Sequence, residues 1–351
     1  MAAQRARLRG GRWHLQHGPL DIVIGADGAA PAVDAAHAAA WRRFETVLDE
    51  LVAELPALRS RVMGPCPPRG TDVAFPPRGT DVDCPLRGTD VDCPLRGTDV
   101  DCPLRGTDVD CPLRGTDVDC PLRGQVAQKM WWACRPHHAE FITPMAAVAG
   151  AVAQELIGAY ARPGVQRAWV NNGGDIALHL APGTQVRVGL FADLARFDLA
   201  DAAVHTDGHF DVHAAQPVRG IATSGWRGRS LSLGIADSVT VLARTAADAD
   251  AAATVIANAV NADDARIRRR PANEVHDDSD LGEIEVVVDV APLPAGVVRQ
   301  ALQRGARRAR ELQRAGLIHA AVLVCQGQAL RVDGHGLRPT DRRAEVGSVF
   351  A

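Results

Sequence analysis

The sequence predicts an α+β fold in which a few long helices pack against a mostly antiparallel sheet. Strand-like and helix-like runs are interleaved along the chain, which is typical of that fold class. Hydrophobic residues make up 46% of the 351 residues, and the mean hydropathy is -0.07, so the chain can form one large domain or two small ones. No G-x-G-x-x-G sequence follows the first strand, so nothing supports a Rossmann fold.

The first part of the chain, residues 1–64, is predicted to contain two strands and one long helix. Residues 12–16 and 20–24 are strand-like, and the His-Gly-Pro sequence between them supplies a turn. Apolar residues then recur with a 3.6-residue period, which predicts an amphipathic helix over residues 33–58. The periodic positions are Ala40, Phe44, Val47, Leu48, Leu51 and Leu55.

After residue 124 helices and strands alternate. Helices are predicted over residues 144–160, 246–260 and 295–315. Strands are predicted over residues 167–171, 176–180, 185–191, 218–223, 229–234, 238–243, 283–290, 318–325 and 329–332. We expect residues 1–64 and 125–351 to be two parts of one domain.

A nine-residue repeat separates the two parts. The units PPRGTDVAF and PPRGTDVDC are followed by four copies of PLRGTDVDC and a final PLRG. The repeat has two interpretations. It is either a small β-solenoid or metal-binding array, or a recent in-frame expansion of a minisatellite. The expansion is favoured, because each unit has few apolar residues to offset its ordering entropy and its single cysteines lack the paired spacing of zinc sites. We predict a disordered insert over residues 65–124, since loop-closure entropy grows slowly with length.

The composition excludes several classes of protein. The net charge is -3 and Lys129 is the only lysine, so the chain offers no basic surface for nucleic acid. No apolar run approaches the roughly 18 residues of a membrane span, and no apolar signal-peptide region follows the basic residues 1–11. Five of the eight cysteines belong to the repeat, so no disulfide framework is indicated. We expect a cytoplasmic protein that binds neither nucleic acid nor membrane.

Two glycine-containing turns are candidates for ligand binding. Residues 171–175 read Asn-Asn-Gly-Gly-Asp between apolar strands, and paired glycines let backbone N–H groups approach an anion. An ordinary Asn/Gly hairpin turn explains the same residues. Residues 223–225 read Thr-Ser-Gly after a strand and could hold the polar edge of a ligand. Ser224 is not in a G-x-S-x-G elbow, and a plain β-turn is the alternative.

Two further segments contain ionisable side chains. Asp250 and Thr254 are four residues apart on an Ala-rich helix, so they share one face, and their oxygens suit a hard cation such as Mg²⁺. The alternative is an aspartate favoured by the dipole at the helix N-terminus. His137 and His138 are adjacent and point in different directions, so a shared metal is not expected. A surface turn is the favoured interpretation of that segment.

The order of these motifs is specific although each is short. With N-x-G-G-D, then T-S-G, then A-D-x-x-x-T, the chain resembles the ApbE-like superfamily, the relatives of FAD:protein FMN transferases. Residues 143–153, TPMAAVAGAVA, stand where those enzymes carry a glycine-rich helix start. The resemblance covers essentially everything outside the repeat. The particular residues in these motifs indicate a branch of the superfamily distinct from the known transferases.

The resemblance implies a function and a set of site residues. Its transferase members bind FAD and Mg²⁺, transfer FMN onto a threonine or serine of a flavoprotein and release AMP. By this resemblance Asp250 and Thr254 are metal ligands, with a backbone carbonyl near residues 148–149. The N-x-G-G-D turn would approach the FAD diphosphate or adenosine, and the T-S-G turn would lie against the flavin. The implied cofactor-binding residues are Asn172, Gly173, Gly174, Asp175, Thr223, Ser224 and Gly225.

The chain departs from those transferases after T-S-G. They carry a histidine-containing H-x-x-D-P segment that supplies a candidate base, whereas residues 229–238 here read RSLSLGIADS. The lysine of their G-G-I-A-K-G segment is also absent, with Ala149 near that place. Asp237 is therefore taken as the candidate catalytic base.

Three functions stay open: Mg²⁺-dependent transfer of FMN, non-catalytic binding of a flavin or nucleotide, and a different small-molecule enzyme on the same scaffold. The expected partners are a flavin nucleotide and an acceptor flavoprotein, and a homodimer is one assembly left open.

Overall fold

A nine-stranded antiparallel sheet runs through the fold of this computed structural model, which describes residues 2–63, 120–190 and 208–332. The described strands are β1 Gln4–Arg7, β2 Trp13–His17, β3 Leu20–Gly28, β4 Val165–Asn172, β5 Asp175–Leu180, β6 Gln185–Leu190, β7 Gly208–His213, β8 Gly220–Ser224, β9 Ser238–Ala243, β10 Ile267–Pro271, β11 Glu285–Val290, β12 Ala320–Cys325 and β13 Gln328–Val332. The large sheet has the order β1-β2-β3-β4-β5-β8-β9-β12-β13. The pairs β6-β7 and β10-β11 are separate and also antiparallel.

The two faces of the large sheet are covered differently. The described α-helices are α1 Ala30–Ala53, α2 Leu55–Leu58, α3 Gln125–Cys134, α4 Val148–Ile157, α5 Ala246–Ala259, α6 Ala272–Val275 and α7 Ala295–Arg314. Successive residues of a strand point to opposite faces. Along β8, Ala222 belongs to the core formed with α5 and α7, whereas Ile221 packs with the β6-β7 pair. The α+β class with a mainly antiparallel sheet is confirmed.

The Ala-rich helix α5 is central to the helical side of the core. Thr245 caps its start, since the Thr245 hydroxyl accepts a hydrogen bond of 3.1 Å from the Asp248 N–H. The helix packs against α4 at Gly150, where an added Cβ would lie only 2.3 Å from the Ala246 carbonyl oxygen. Small side chains on both helices therefore bring their first turns close together.

Several boundaries differ from the sequence predictions. The helix predicted over residues 33–58 is interrupted at Glu54, and Pro56 lies in the first turn of the short α2, where its missing N–H costs no hydrogen bond. The strand predicted over residues 229–234 is wrong. That stretch is a loop against the end of α5, held there because Ile235 N–H donates to the Val260 carbonyl at 2.8 Å. Strands β1, β7 and β10 and helices α3 and α6 were not predicted.

The repeat lies largely outside the described residues, so the predicted disordered insert over residues 65–124 stays a prediction. The last repeat residues are described, however, and they pack against the domain. Leu122 is buried, and the N–H groups of Arg123 and Gly124 donate to the Glu54 carboxylate at 2.8 and 2.6 Å. The packed part of the chain therefore includes the end of the last unit. Among the helices described, none is both long and apolar enough to cross a membrane.

Candidate functional site

One end of the large sheet brings the predicted motifs together. The β4-β5 turn, the end of β8 and the first turns of α4 and α5 meet there. Asp175 is 8% exposed, and its Oδ1 accepts a hydrogen bond of 3.2 Å from the Thr223 N–H. Asn172, which pairs with Asp175 across the turn, donates from Nδ2 to the Ala149 carbonyl at 3.2 Å. Three motifs that are distant in the sequence thus form one site.

The β4-β5 turn requires its two glycines. Gly173 and Gly174 have φ angles of +66° and +109°, in the region that favours glycine. The turn is closed by a hydrogen bond of 2.8 Å from the Gly174 N–H to Asn171 Oδ1. Asn171 itself is 2% exposed, and its Nδ2 is buried without a hydrogen-bond partner. The turn therefore contains a donor that the protein leaves unsatisfied.

Asp250 contacts the start of α4 instead of the start of its own helix. Its Oδ2 accepts a hydrogen bond of 2.9 Å from the Gly150 N–H, and the Ala149 N–H also donates to this carboxylate. No side chain at the N-cap of α4 makes that bond, so Asp250 supplies the missing cap from a neighbouring helix. A negative charge is stabilised at a helix N-terminus. This contact is a structural role for Asp250, independent of any metal.

The Asp175 and Asp250 carboxylates interact electrostatically. Burial raises the pKa of Asp250 to about 7, although the N–H groups of Gly150 and Ala149 oppose the shift. Burial also raises the pKa of Asp175 well above its usual range. The negative charge of Asp250 raises the Asp175 pKa further, while the Thr223 N–H and the charge of Arg229 lower it. Two neighbouring, mutually repelling carboxylates of this kind are stabilised by a proton or by a bound cation.

The other predicted site residues lie on the same helix and at the end of the same strand. Thr254 is one turn beyond Asp250 on α5 and is partly exposed. Ser224 ends β8 and is also partly exposed. Gly225 follows it, at a point where an added Cβ would lie 2.4 Å from the Asp237 carbonyl oxygen. Within residues 2–63, 120–190 and 208–332 no three His, Cys, Asp or Glu side chains are grouped to hold a metal ion.

Asp237, the candidate base, is held by several contacts. Its Oδ1 accepts a hydrogen bond of 3.3 Å from the Trp226 indole N–H and lies 3.3 Å from Arg227 Nε. Its Oδ2 accepts a bond of 2.5 Å from the Gln326 N–H in the β12-β13 turn. Asp237 is 7% exposed. These bonds tie the loop after β8 to the neighbouring hairpin.

Arg229 is a site residue that the sequence reasoning did not select. A Cβ on Gly173 would lie 1.8 Å from Arg229 Nη2, so the guanidinium lies directly on the turn. Arg229 also lies close enough to Asp175 to lower the pKa of that carboxyl. A cation six residues after the T-S-G threonine was the only signal in the sequence.

The predicted surface turn at the two histidines is wrong for one of them. His137 is 2% exposed and therefore buried, whereas His138 is partly exposed and lies 3.2 Å from the Arg135 carbonyl oxygen. The two side chains thus have different environments, as adjacent residues on opposite sides of a turn do.

Comparison with known proteins identifies the family of this chain. The profile of the family described as AbpE bacteria matches residues 5–75 and 109–331, most of the 351 residues. The chain belongs to the AbpE bacteria family. The matched residues include Asp175, Asp250, the Gly173-Gly174 turn and Arg229. The resemblance to ApbE-like proteins is confirmed at the level of this related family.

Curated relatives of the AbpE bacteria protein are described as UPF0280 proteins. One from Methanoregula boonei is 39% identical over 127 residues, which are 36% of this chain and 50% of the relative. One from Methanothrix thermoacetophila is 37% identical over 123 residues, 35% of this chain and 48% of the relative. One from Methanopyrus kandleri is 39% identical over 150 residues, 42% of this chain and 56% of the relative. The chain spans about half the length of the curated relatives it matches.

Proposed function

We propose that this AbpE bacteria protein binds a flavin nucleotide, FAD, together with Mg²⁺ at the end of the sheet where Asp175 and Asp250 meet. The observation that carries the proposal is the repelling pair of carboxylates beside the Gly173-Gly174 turn, of which Asp175 is buried and Asp250 is partly exposed. Such a pair is destabilising when both groups are charged, and a divalent cation removes the repulsion. A cation at this position would in turn attract the phosphates of a nucleotide.

The side chains present fit a magnesium ion. Mg²⁺ binds one or two protein carboxylates and completes its shell with water, neutral oxygens and substrate phosphates. Asp250 and Thr254 are the ligands that the resemblance implies, and the proximity of Asp175 to Asp250 adds a second carboxylate. When bound, Mg²⁺ would neutralise negative charge on phosphate oxygens.

The remaining motifs have separate tasks in this proposal. The Gly173-Gly174 backbone borders the diphosphate, and an added Cβ at Gly174 would meet no atom within 4 Å, so one side of the turn is open. Thr223, Ser224 and Gly225 border the flavin. The Thr223 N–H donates a hydrogen bond to Asp175, and the Thr223 hydroxyl lies 2.9 Å from the Thr240 hydroxyl. This side of the site is therefore fixed before a ligand binds.

Transfer of FMN to a protein hydroxyl is the reaction that the family resemblance suggests. The acceptor oxygen would form a bond to the phosphorus of the FMN half, the phosphoanhydride bond would break, and AMP would leave. The proton of the acceptor hydroxyl would pass to a base, for which Asp237 is the candidate. A base must lie within hydrogen-bond reach of the proton that it removes.

The contacts of Asp237 favour a second function, binding without transfer. Trp226, Arg227 and Gln326 occupy both oxygens of the Asp237 carboxylate. These contacts give Asp237 a structural role that needs no proton transfer. A carrier or sensor of flavin nucleotides would need Asp237 only to hold the loop.

One experiment separates these functions. Purified protein is titrated with FAD with and without Mg²⁺, and AMP release is then followed after a flavoprotein is added. Mg²⁺-dependent binding with AMP release supports the transferase, and binding without AMP supports the carrier. Absence of FAD binding refutes both and points to a different ligand on this scaffold.

Two variants of Asp250 test the metal assignment. Asp250→Asn keeps an oxygen for the Gly150 N–H but removes the charge, so we expect the fold to survive and the Mg²⁺ dependence to disappear. Asp250→Ala removes both and should also lower stability. Unchanged Mg²⁺-dependent binding in the Asn variant would contradict the metal site and leave Asp250 as a helix cap alone.

A further inference from the structure

The position of Arg229 on the glycine turn has a consequence for the ligand. The guanidinium lies against Gly173, on the same turn that ends at Asp175. The Arg229 residue is exposed. A charged planar donor group is therefore presented to solvent at the edge of the candidate site.

Two donor groups at this turn have no acceptor among the described residues. Within the part of the chain that the structure describes, no hydrogen bond or ion pair holds the Arg229 guanidinium. Asn171 Nδ2, under the same turn, is buried and also without a partner. Both unmatched groups donate hydrogen bonds, so the group that would complement this turn is an acceptor. A guanidinium fork fits two oxygens of one phosphate.

An anionic ligand at this turn needs a positive charge beside it, because two carboxylates lie nearby. Asp175 and Asp250 repel any phosphate when they are ionised. A metal ion offsets this repulsion on the carboxylate side, and Arg229 is the positive charge on the turn side. A neutral ligand would need neither charge.

We propose that Arg229 is a binding residue for the phosphate of the nucleotide and that it makes the site select phosphorylated ligands over uncharged ones. This inference rests on the proposed function, because it places the phosphates at the same turn. The chemical class recognised is a diphosphate ester, as in a dinucleotide or a nucleoside diphosphate. Arg229 acts on binding and is given no part in proton transfer.

The test compares three probes on four proteins. Affinities for FAD, inorganic pyrophosphate and riboflavin are measured by calorimetry in the presence of Mg²⁺. The proteins are the wild type, Arg229→Gln, Arg229→Lys and the control Arg307→Gln. Arg307 is exposed on α7 and makes none of the described hydrogen bonds, so the control removes one charge elsewhere.

The expected result is selective. Arg229→Gln should weaken FAD and pyrophosphate about ten- to a hundredfold, the range for a lost hydrogen bond to a charged group. Riboflavin binding should be unchanged, Arg229→Lys should recover part of the affinity, and Arg307→Gln should resemble the wild type.

The failures are distinguishable. Equal FAD and pyrophosphate affinities in wild type and Arg229→Gln would overturn the assignment while leaving the proposed function intact. Loss of riboflavin binding in Arg229→Gln would mean that Arg229 only supports the loop, and this result would also overturn the assignment. Wild-type protein that binds pyrophosphate through Arg229 but not FAD would keep the assignment and refute the flavin function. No binding of any probe would refute both.

Discussion

Replacing Asp250 by asparagine should change how the stability of the metal-free protein depends on pH. Burial raises the pKa of Asp250 from 3.8 to about 7 in the folded protein. Between these values the native state keeps a proton that the unfolded chain has lost. The free energy of unfolding therefore falls as pH rises through this window and levels off above it. Asparagine cannot ionise, so the variant lacks this contribution.

The size of the effect follows from the same shift. Each pKa unit corresponds to about 1.4 kcal/mol, so the limit for the full shift is about 4 kcal/mol. Because the Asp250 residue keeps some solvent exposure, we expect roughly half of that value after screening. The Asn variant also removes the repulsion on Asp175, which acts in the same direction.

Urea unfolding at several pH values provides the assay. Without Mg²⁺, the stability of Asp250→Asn relative to wild type should rise by about 2 kcal/mol between about pH 4 and pH 8. Saturating Mg²⁺ should stabilise the wild type at the higher pH and leave the variant unchanged. Asp49→Asn, the same change at an exposed position on α1, is the control and should give the wild-type curve. Parallel curves for Asp250→Asn and wild type would refute the reasoning.

Three further substitutions test the packing around the site. Gly150→Ala should lower the free energy of unfolding by about 1–3 kcal/mol, because its Cβ meets the Ala246 carbonyl at the α4-α5 contact; Gly158→Ala, where the Cβ meets no atom within 4 Å, should not, and equal urea midpoints would contradict this. Thr245→Ala removes the N-cap of α5 and should cost about 1 kcal/mol, whereas Thr245→Ser should largely restore the stability. Asp237→Asn should lower the thermal midpoint by loosening the β8-β9 loop and, if Asp237 is the base, should also abolish AMP release; a variant with wild-type stability and wild-type AMP release would exclude both roles.

Local pattern predicted most of the long elements. The regular 3.6-residue spacing in α1 and α7, the Ala-rich composition of α5 and the apolar runs of β4, β5 and β9 appear in the sequence because each element buries one face or both. Strand β10, by contrast, reads Ile-Arg-Arg-Arg-Pro and has no such alternation. It is a strand because it pairs with β11, and the hydrogen bonds of that pair depend on residues outside β10 itself. The stretch 229–234 has a strand-like alternation but is held as a loop by the end of α5.

The sequence alone determined which motifs occur and in what order, and that was enough to indicate the fold class and the ApbE-related family. It also named Asp175 and Asp250 as separate candidates. Only the tertiary structure decided that their carboxylates are close enough to repel, that Asp250 caps α4, and that Arg229 lies on the glycine turn. The physical reason is that a motif is defined by neighbours along the chain, whereas charge interaction and hydrogen bonding depend on distance in space. Those distances are set by the strand register and by the packing of small residues between α4 and α5.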